Sequence, residues 1–465
     1  MDPLAGIPKG AQPLGKVAKE KSVKINALRP GNFISIHPMS IEILPGFREF
    51  YPETCFERNF IFEKMRQVCQ NFCFTEYDSP ILEPLELFTE KSGEEIAVQL
   101  FNFVDRGGRA VALRPEMTPA VARMIGSKIH TLKRPLKWFS IEENFRYERP
   151  QKGRLRSFYQ LNVDIFDEKN IHADAEIIAL AITILRSFGL TVDDFHVRLS
   201  DRNLWTLLLH GLAVPENLIT NVLSIVDKME RESRDEIMQK LNAFHLDSAQ
   251  LLENIATFQT IRTVDDLEKF LQAILKKSDE EVVLRLGQLR LLLARLKHFG
   301  LASFVTLDFS IVRGLAYYTG FVFEIFERSG KSRALAGGGR YDDLIEKFGY
   351  SKTAAVGLAI GDVTLGNVLA DRHLIPTFDP IADLFIVFDP QSEAIAMGDA
   401  YDLRSRGFSV NYVLKDGLSI DKHFKQAIKA RWVAQYTDNQ ENIILRNIAQ
   451  RKDYPIHHFE IISFL

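Results

Sequence analysis

Residues Lys137 to Tyr147 and Phe158 to Phe166 are two β-patterned runs separated by a loop crowded with Arg149, Lys152, Arg154 and Arg156, and this pairing restricts the fold most. Side chains alternate across a strand, so Phe158, Gln160, Asn162 and Asp164 share one face while Tyr159, Leu161, Val163 and Ile165 share the other. The second set is apolar and reads as a core face; the first is polar. On the preceding run Arg146 and Glu148 share a face for the same reason. One sheet surface thus collects Arg146, Glu148, Phe158, Gln160 and Asp164 beside the basic loop. Guanidinium forks suit phosphate oxygens, an aromatic ring can stack on a base, and a deeper Gln and Asp can hold a small polar substrate. For any one of these arginines, a solvated face paired with Glu148 is the plain alternative.

The rest of the chain builds around that pair. Thr54 and Glu57 have capping-box spacing ahead of Ile61, Met65, Val68 and Phe72, which predicts an amphipathic helix over residues 55 to 73. QLFNFVDRGGRAVALRP reads as a hairpin around Gly107 and Gly108. ADAEIIALAITILRSFGL is a long apolar helix ending at Gly189, and residues 202 to 300 are helical in period almost throughout. β pattern then returns in FSIVRGLAYYTGFVFEIFE and ALAGGGRYDDLIEKFG, so one sheet interrupted by helices reconciles the pieces. Past Pro376 and Pro380, LFIVF, FSVNYVL and ARWVAQY alternate with helical stretches and predict a small α/β domain.

At 465 residues the chain calls for more than one domain, and its 46% hydrophobic content is that of a globular protein with sizeable cores. A net charge of -3 leaves any nucleic-acid contact to local patches. Cys55, Cys69 and Cys73 lack CxxC spacing and read as reduced thiols in a cytoplasmic compartment; Cys69 and Cys73 would share a helix face as small hydrophobes. The first 24 residues have no apolar core and read as a basic leader, neither signal peptide nor membrane span.

FRYERPQKGR with Phe158 and Gln160 resembles motif 2 of class II aminoacyl-tRNA synthetases, in the form found in histidyl-tRNA synthetases. LRPEMTPAVAR (113 to 123), IVRGLAYYTG (311 to 320) and LAGGGRYDDL (335 to 344) are similar to that family's amino-acid loop and its two histidine signatures, and Pro80 stands where motif 1 places a proline. The resemblance implies an α+β chain: a flexible leader over 1–38, a class II antiparallel-sheet catalytic domain over 39–372 with a helical insertion over about 202–300, and an anticodon-binding-like α/β domain over 380–465. It implies a homodimeric histidine–tRNA ligase that uses ATP, with Mg2+ bridging the phosphates, and acts on tRNA(His).

Position by position, the resemblance puts Arg146 and Arg313 on the ATP α-phosphate as the catalytic cations, Phe158 on adenine, Glu148 near adenine and Arg154 on the outer phosphates. Glu116, Thr118 and Gln160 would hold the histidine α-amino group, Asp164 and Tyr318 the imidazole, with Tyr317 and Tyr341 lining the pocket. Lys422, Lys425 and Lys429 would touch the tRNA backbone, though a solvated helix face explains them equally well. Plain structural readings stand beside these: Glu116 as a helix cap, Tyr317 and Tyr318 as sheet aromatics, Gly337 to Gly339 as a tight turn.

Four positions depart from the family pattern, one of them Asp164, which stands where many members have Glu and keeps the charge with a shorter reach. Thr364 stands where the family's motif 3 arginine binds the γ-phosphate, Asp362 adds a negative charge nearby, and Ala316 replaces an acid. Either another cation compensates or ATP affinity is reduced. The alternatives to the ligase are a non-ligating paralogue, such as the regulatory subunit of ATP phosphoribosyltransferase, and an RNA-binding platform.

Overall fold

The computed structural model describes residues 41–89, 98–229, 232–246, 248–275, 280–312, 317–330, 332–379, 381–412, 429–438 and 441–465. Its contacts separate Met1–Ile43 from Leu44–Leu465; the elements that follow belong to the second unit. They begin with α1 (Pro52–Asn71), β1 (Thr75–Glu76), β2 (Leu82–Pro84), β3 (Asn102–Val104), β4 (Ala110–Leu113), α2 (Thr118–Lys128), β5 (Leu136–Phe145), β6 (Ser157–Phe166), α3 (Ile171–Ser187) and β7 (Phe195–Asp201). Six helices follow: α4 (Arg202–Gly211), α5 (Glu216–Val226), α6 (Arg234–Asn242), α7 (Ser248–Thr260), α8 (Val264–Leu275) and α9 (Glu280–His298). The chain then resumes strand with β8 (Val305–Leu307), β9 (Phe321–Glu327), β10 (Ala336–Arg340) and β11 (Ala355–Gly361), and enters α10 (Asp362–Asp371).

Eight strands form one sheet in the order β1-β5-β6-β11-β10-β9-β7-β8. The β5–β6 pair is antiparallel, with Glu142 opposite Gln160, and β6 pairs antiparallel with β11, with Asp164 opposite Gly357. Leu161, Val163 and Ile165 enter the main core with α3, whose Ile177, Ile178, Leu180, Ile182, Ile184 and Leu185 are all buried. A helix this apolar on every side needs cover on both flanks; the sheet supplies one and the neighbouring α1 and α9 pack against it as well. Asn170 caps α3 by accepting from His172 N at 3.2 Å, and Gly189 beyond its end has φ +93°, a left-handed conformation that costs glycine little.

The helical insertion is fastened to the sheet by Asp201. Its Oδ1 accepts from Asn203 N at 2.8 Å at the start of α4, and its Oδ2 pairs with Arg285 of α9 at 2.5 Å, with both side chains removed from solvent. Trp205 is fully buried and donates its indole N–H to Phe309 O at 3.1 Å. Such a pair, once buried, is strongly destabilising to break from one side.

Two local expectations change. The first helix starts at Pro52, with Tyr51 as its cap and no side-chain capping bond; Thr54 Oγ1 donates to Tyr51 O at 3.1 Å, so the Thr54–Glu57 box is not used. Proline at the first position fixes φ for the helix and needs no such box. Cys73 lies past the helix end with φ +61° and is exposed, whereas Cys69 is buried, so they do not share a face.

The C-terminal sheet comprises β12 (Ala382–Phe388), β13 (Val410–Tyr412), β14 (Ala430–Tyr436), β15 (Asn442–Asn447) and β16 (Lys452–His457), with α11 (Glu393–Ser405) packed on it. β12 runs parallel to β13 and β14, as strand–helix alternation requires, but β15 and β16 add an antiparallel hairpin that the alternation did not anticipate. Pro455 sits in β16 at the sheet edge, where a missing N–H is tolerated. The expected helix near Lys422 to Lys429 falls largely outside the described residues, Lys422 and Lys425 included; Lys429 is exposed just before β14. Among the described residues no helix is long and apolar enough to cross a membrane.

Candidate active site

The polar face of β6 forms the floor of two adjoining cavities. The first, of about 450 Å3, is lined by Glu116, Thr118, Gln160, Asp164, Tyr317, Tyr318 and Tyr341. Asp164 stands at its base opposite Gly357, where an added Cβ would overlap the Asp164 carboxylate; the glycine makes room for it. The Tyr341 hydroxyl donates to Asp164 Oδ1, while Oδ2 is buried without a hydrogen-bond partner among the described residues. Burial pushes the Asp164 carboxyl up to about 7, and the Tyr341 hydrogen bond acts in the opposite direction. Tyr341, expected only to line the pocket, is bonded to Asp164; Tyr318 lines the same cavity and its ring lies 4.9 Å from that of Tyr317. Tyr317 donates its hydroxyl to Glu116 Oε2 at 3.4 Å. Asn162 also faces in, its Oδ1 buried and unpartnered.

The second cavity, of about 690 Å3, is lined by Arg146, Glu148, Arg154 and Phe158 and shares Arg146, Arg154, Gln160 and Ala359 with the first. The two are therefore one continuous space. The Arg146 guanidinium lies 5.4 Å from the Phe158 ring centroid, and its Nε donates to Pro115 O at 3.1 Å. Arg154 is ion-paired with Glu148, the pairing that the plain reading of the loop foresaw, yet both line the cavity. β5 itself ends at Phe145; Arg146 N still bonds to Arg156 O at 2.9 Å, but Glu148 N turns back to Arg146 O at 2.8 Å, so strict alternation stops there. Arg313 and Ala316 lie outside the described residues.

Two supporting residues escaped the reading of the sequence. Arg114 is buried and donates to Ser79 O at 2.6 Å, Glu143 O at 2.9 Å and Glu142 Oε2 at 2.7 Å, pinning the loop that carries Glu116 and Thr118 against β5. Burial pushes Glu142 up to about 7, with Arg114 pulling the other way. The available signal was an arginine within the otherwise apolar AVALRP run. Arg48 pairs with Asp362 at 2.7 Å, and Asp362 also accepts from Tyr159 N at 2.9 Å. Asp362 is thus not an uncompensated charge: burial raises its pKa and Arg48 opposes the rise.

Three plain readings fail. Glu116 does not cap α2, whose cap position is Met117 without a side-chain bond. Tyr317 and Tyr318 precede β9 rather than lying in it. Gly337 to Gly339 form part of buried β10 rather than a turn, and a Cβ on Gly338 would strike the Gly357 carbonyl oxygen.

A large antiparallel sheet with an amino-acid-sized polar pocket opening into an arginine-lined one is the architecture of a class II aminoacyl-tRNA synthetase. The family model for histidyl-tRNA synthetase matches residues 46–363. The chain is 50% identical over 389 residues to a histidine–tRNA ligase of Opitutus terrae, covering 83% of this chain and 88% of that one. It is 36% identical over 439 residues to the histidine–tRNA ligase of Leptospira biflexa, covering 91% and 97%. The crystal structure of histidyl-tRNA synthetase from Nostoc sp. PCC 7120 superposes with a TM-score of 0.73 at 23% identity, covering 92% of this chain and all of that one, and so shares the fold. The chain belongs to the histidyl-tRNA synthetase family, whose members are aminoacyl-tRNA ligases. These relatives support the ligase and not the non-ligating alternative.

Proposed function

We propose that this protein activates histidine with ATP to histidyl-adenylate and pyrophosphate, then transfers the histidyl group to the terminal ribose of tRNA(His). The observation that carries the reading is the continuous space along β6, with Asp164 and Tyr341 at one end and Arg146 and Arg154 nearer the other. The unpartnered Asp164 Oδ2 accepts from an imidazole N–H, and Tyr318 meets the other ring nitrogen. A site that hydrogen-bonds both nitrogens rejects apolar analogues because its own buried groups would go unpaired. Glu116, Thr118 and Gln160 receive the α-amino group, which leaves the carboxylate directed toward Arg146.

Phe158 stacks on adenine with Glu148 beside it, and Arg154 exchanges its pairing with Glu148 for the outer phosphates. The histidine carboxylate attacks the α-phosphorus, the bond to pyrophosphate breaks, and Arg146 with Arg313 stabilises the charge that develops. The tRNA hydroxyl then attacks the carbonyl carbon and AMP leaves. Magnesium would arrive with the phosphates, and Glu324, a carboxylate lining both cavities, would be a residue to hold it. When bound, it neutralises phosphate charge.

We further assign residues 380–465 to anticodon recognition, the cytoplasm as the compartment, and a homodimer as the working unit. Support for the dimer comes from apolar side chains left exposed on and beside β2 and β3, among them Leu82 at 43%, Phe103 at 51% and Val104 at 68%. Histidine-dependent ATP–pyrophosphate exchange tests the first step. Histidine binding without exchange would overturn the ligase reading, whereas exchange without charging of tRNA(His) would confine the error to the tRNA assignment.

A further inference from the structure

Gly153, Arg333 and Thr364 come together on the wall of the second cavity. Gly153 has φ +78°, and a Cβ built on it would lie 3.5 Å from Thr364 Oγ1 and 3.8 Å from Arg333 Cδ. Arg333 comes from the segment joining β9 to β10 and donates Nη2 to Gln151 Oε1 at 3.1 Å, so a neutral amide bridges it to the basic loop. Arg154 pairs with Glu148 and Arg48 with Asp362, so Arg154 reaches a phosphate only by giving up a carboxylate. Of the three arginines lining this cavity, Arg146 and Arg333 have no carboxylate partner among the described residues. Arg146 lines both cavities, whereas Arg333 lines only the second, where Gly153 has both Arg333 and the uncharged Thr364 as neighbours.

We infer that Arg333, held by Gln151 across from Thr364, binds the terminal phosphates of ATP. A guanidinium held by a neutral amide, with no carboxylate partner among the described residues, gives up little when phosphate arrives, and its fork matches phosphate oxygens. Thr364 adds a hydroxyl at the same place but no charge. The inference rests on the proposed ATP site and assigns its polyphosphate end.

Direct titration calorimetry of the full-length protein with ATP and, separately, with AMP, both in magnesium buffer, tests it. Arg333→Ala raises the Kd for ATP on the order of tenfold to a hundredfold, the range for losing a charge-assisted hydrogen bond, and leaves AMP binding unchanged. Arg333→Lys recovers most of the ATP affinity. Equal weakening of ATP and AMP would mean a collapsed cavity and overturn the inference, as would ATP affinity unchanged in Arg333→Ala, or Ala and Lys variants equally weak. Wild-type protein that binds ATP but gives no histidine-dependent exchange would sink the ligase reading alone, because the ATP-to-AMP comparison stays readable. Wild-type protein that binds no ATP removes both.

Discussion

Replacing Asp164 with Asn should strengthen the empty protein while disabling its histidine pocket. The carboxyl is buried with a folded-state pKa of about 7 against an ordinary value of 3.8, burial being the cause. Because the folded pKa is the higher one, the unfolded chain releases this proton first, and the group's contribution to stability falls as pH rises from about 4 to about 7. Between about pH 5 and pH 7 the loss is somewhat under two units at 1.36 kcal/mol each, roughly 2 kcal/mol. Asn has no charge to desolvate and keeps an oxygen for the Tyr341 hydroxyl. Urea unfolding of wild type and Asp164→Asn at those two pH values, without histidine, should give curves that lie closer together at pH 5 and separate further in favour of the variant at pH 7. In exchange assays the same variant should raise the KM for histidine at least about tenfold, through loss of a charge-assisted hydrogen bond. A variant equally destabilised at both pH values, or one with an unaltered histidine KM, would refute the reasoning. The raised pKa would then be no property of an empty ligand pocket.

Tyr341→Phe removes the hydrogen bond that holds Asp164 down, so the pH at which histidine affinity rises should move upward; an unshifted profile would show that Tyr341 does not act through the carboxylate. Gly357→Ala should raise the histidine KM more than it weakens AMP binding, since the new Cβ overlaps the Asp164 carboxylate most closely, with Val163 O next at 2.9 Å; equal losses for both ligands would point to a distorted sheet. Arg114→Ala strands Glu142 and two carbonyl oxygens and should cost about 3–5 kcal/mol in urea unfolding, against less than about 0.5 kcal/mol for an ordinary surface change.

How far the sequence could be read depended on how local each interaction is. Strand alternation in β6 placed Phe158, Gln160, Asn162 and Asp164 on one face because a two-residue period needs no partner to be read. The return of β pattern after residue 300 likewise revealed one sheet interrupted by helices. Arg48 and Asp362 pair across 314 positions of sequence, and Arg114 meets Glu142 across 28, so no window of sequence holds both partners. The β15–β16 hairpin escaped because Pro455 and the polar KDYPIH run argue against a strand until the edge position is known. The Tyr341 bond to Asp164 depends on which strand lies beside β6. Pairing of β6 with β11 and of β11 with β10 decides it, and no single motif contains those pairings.

β6 also acts as a measuring rod. From Phe158 to Asp164 the strand advances six residues at about 3.3 Å each, roughly the length of an amino acid joined to a nucleotide and laid along it. Every graduation sits on the same side because the period is two. Loss or gain of a single residue after Ser157 would turn all four marks into the hydrophobic core at once, whereas the loop before it can change length and still return the chain to register. Tolerance of insertions should therefore drop abruptly at Ser157, and a library of single-residue deletions across residues 146–166 would locate that step.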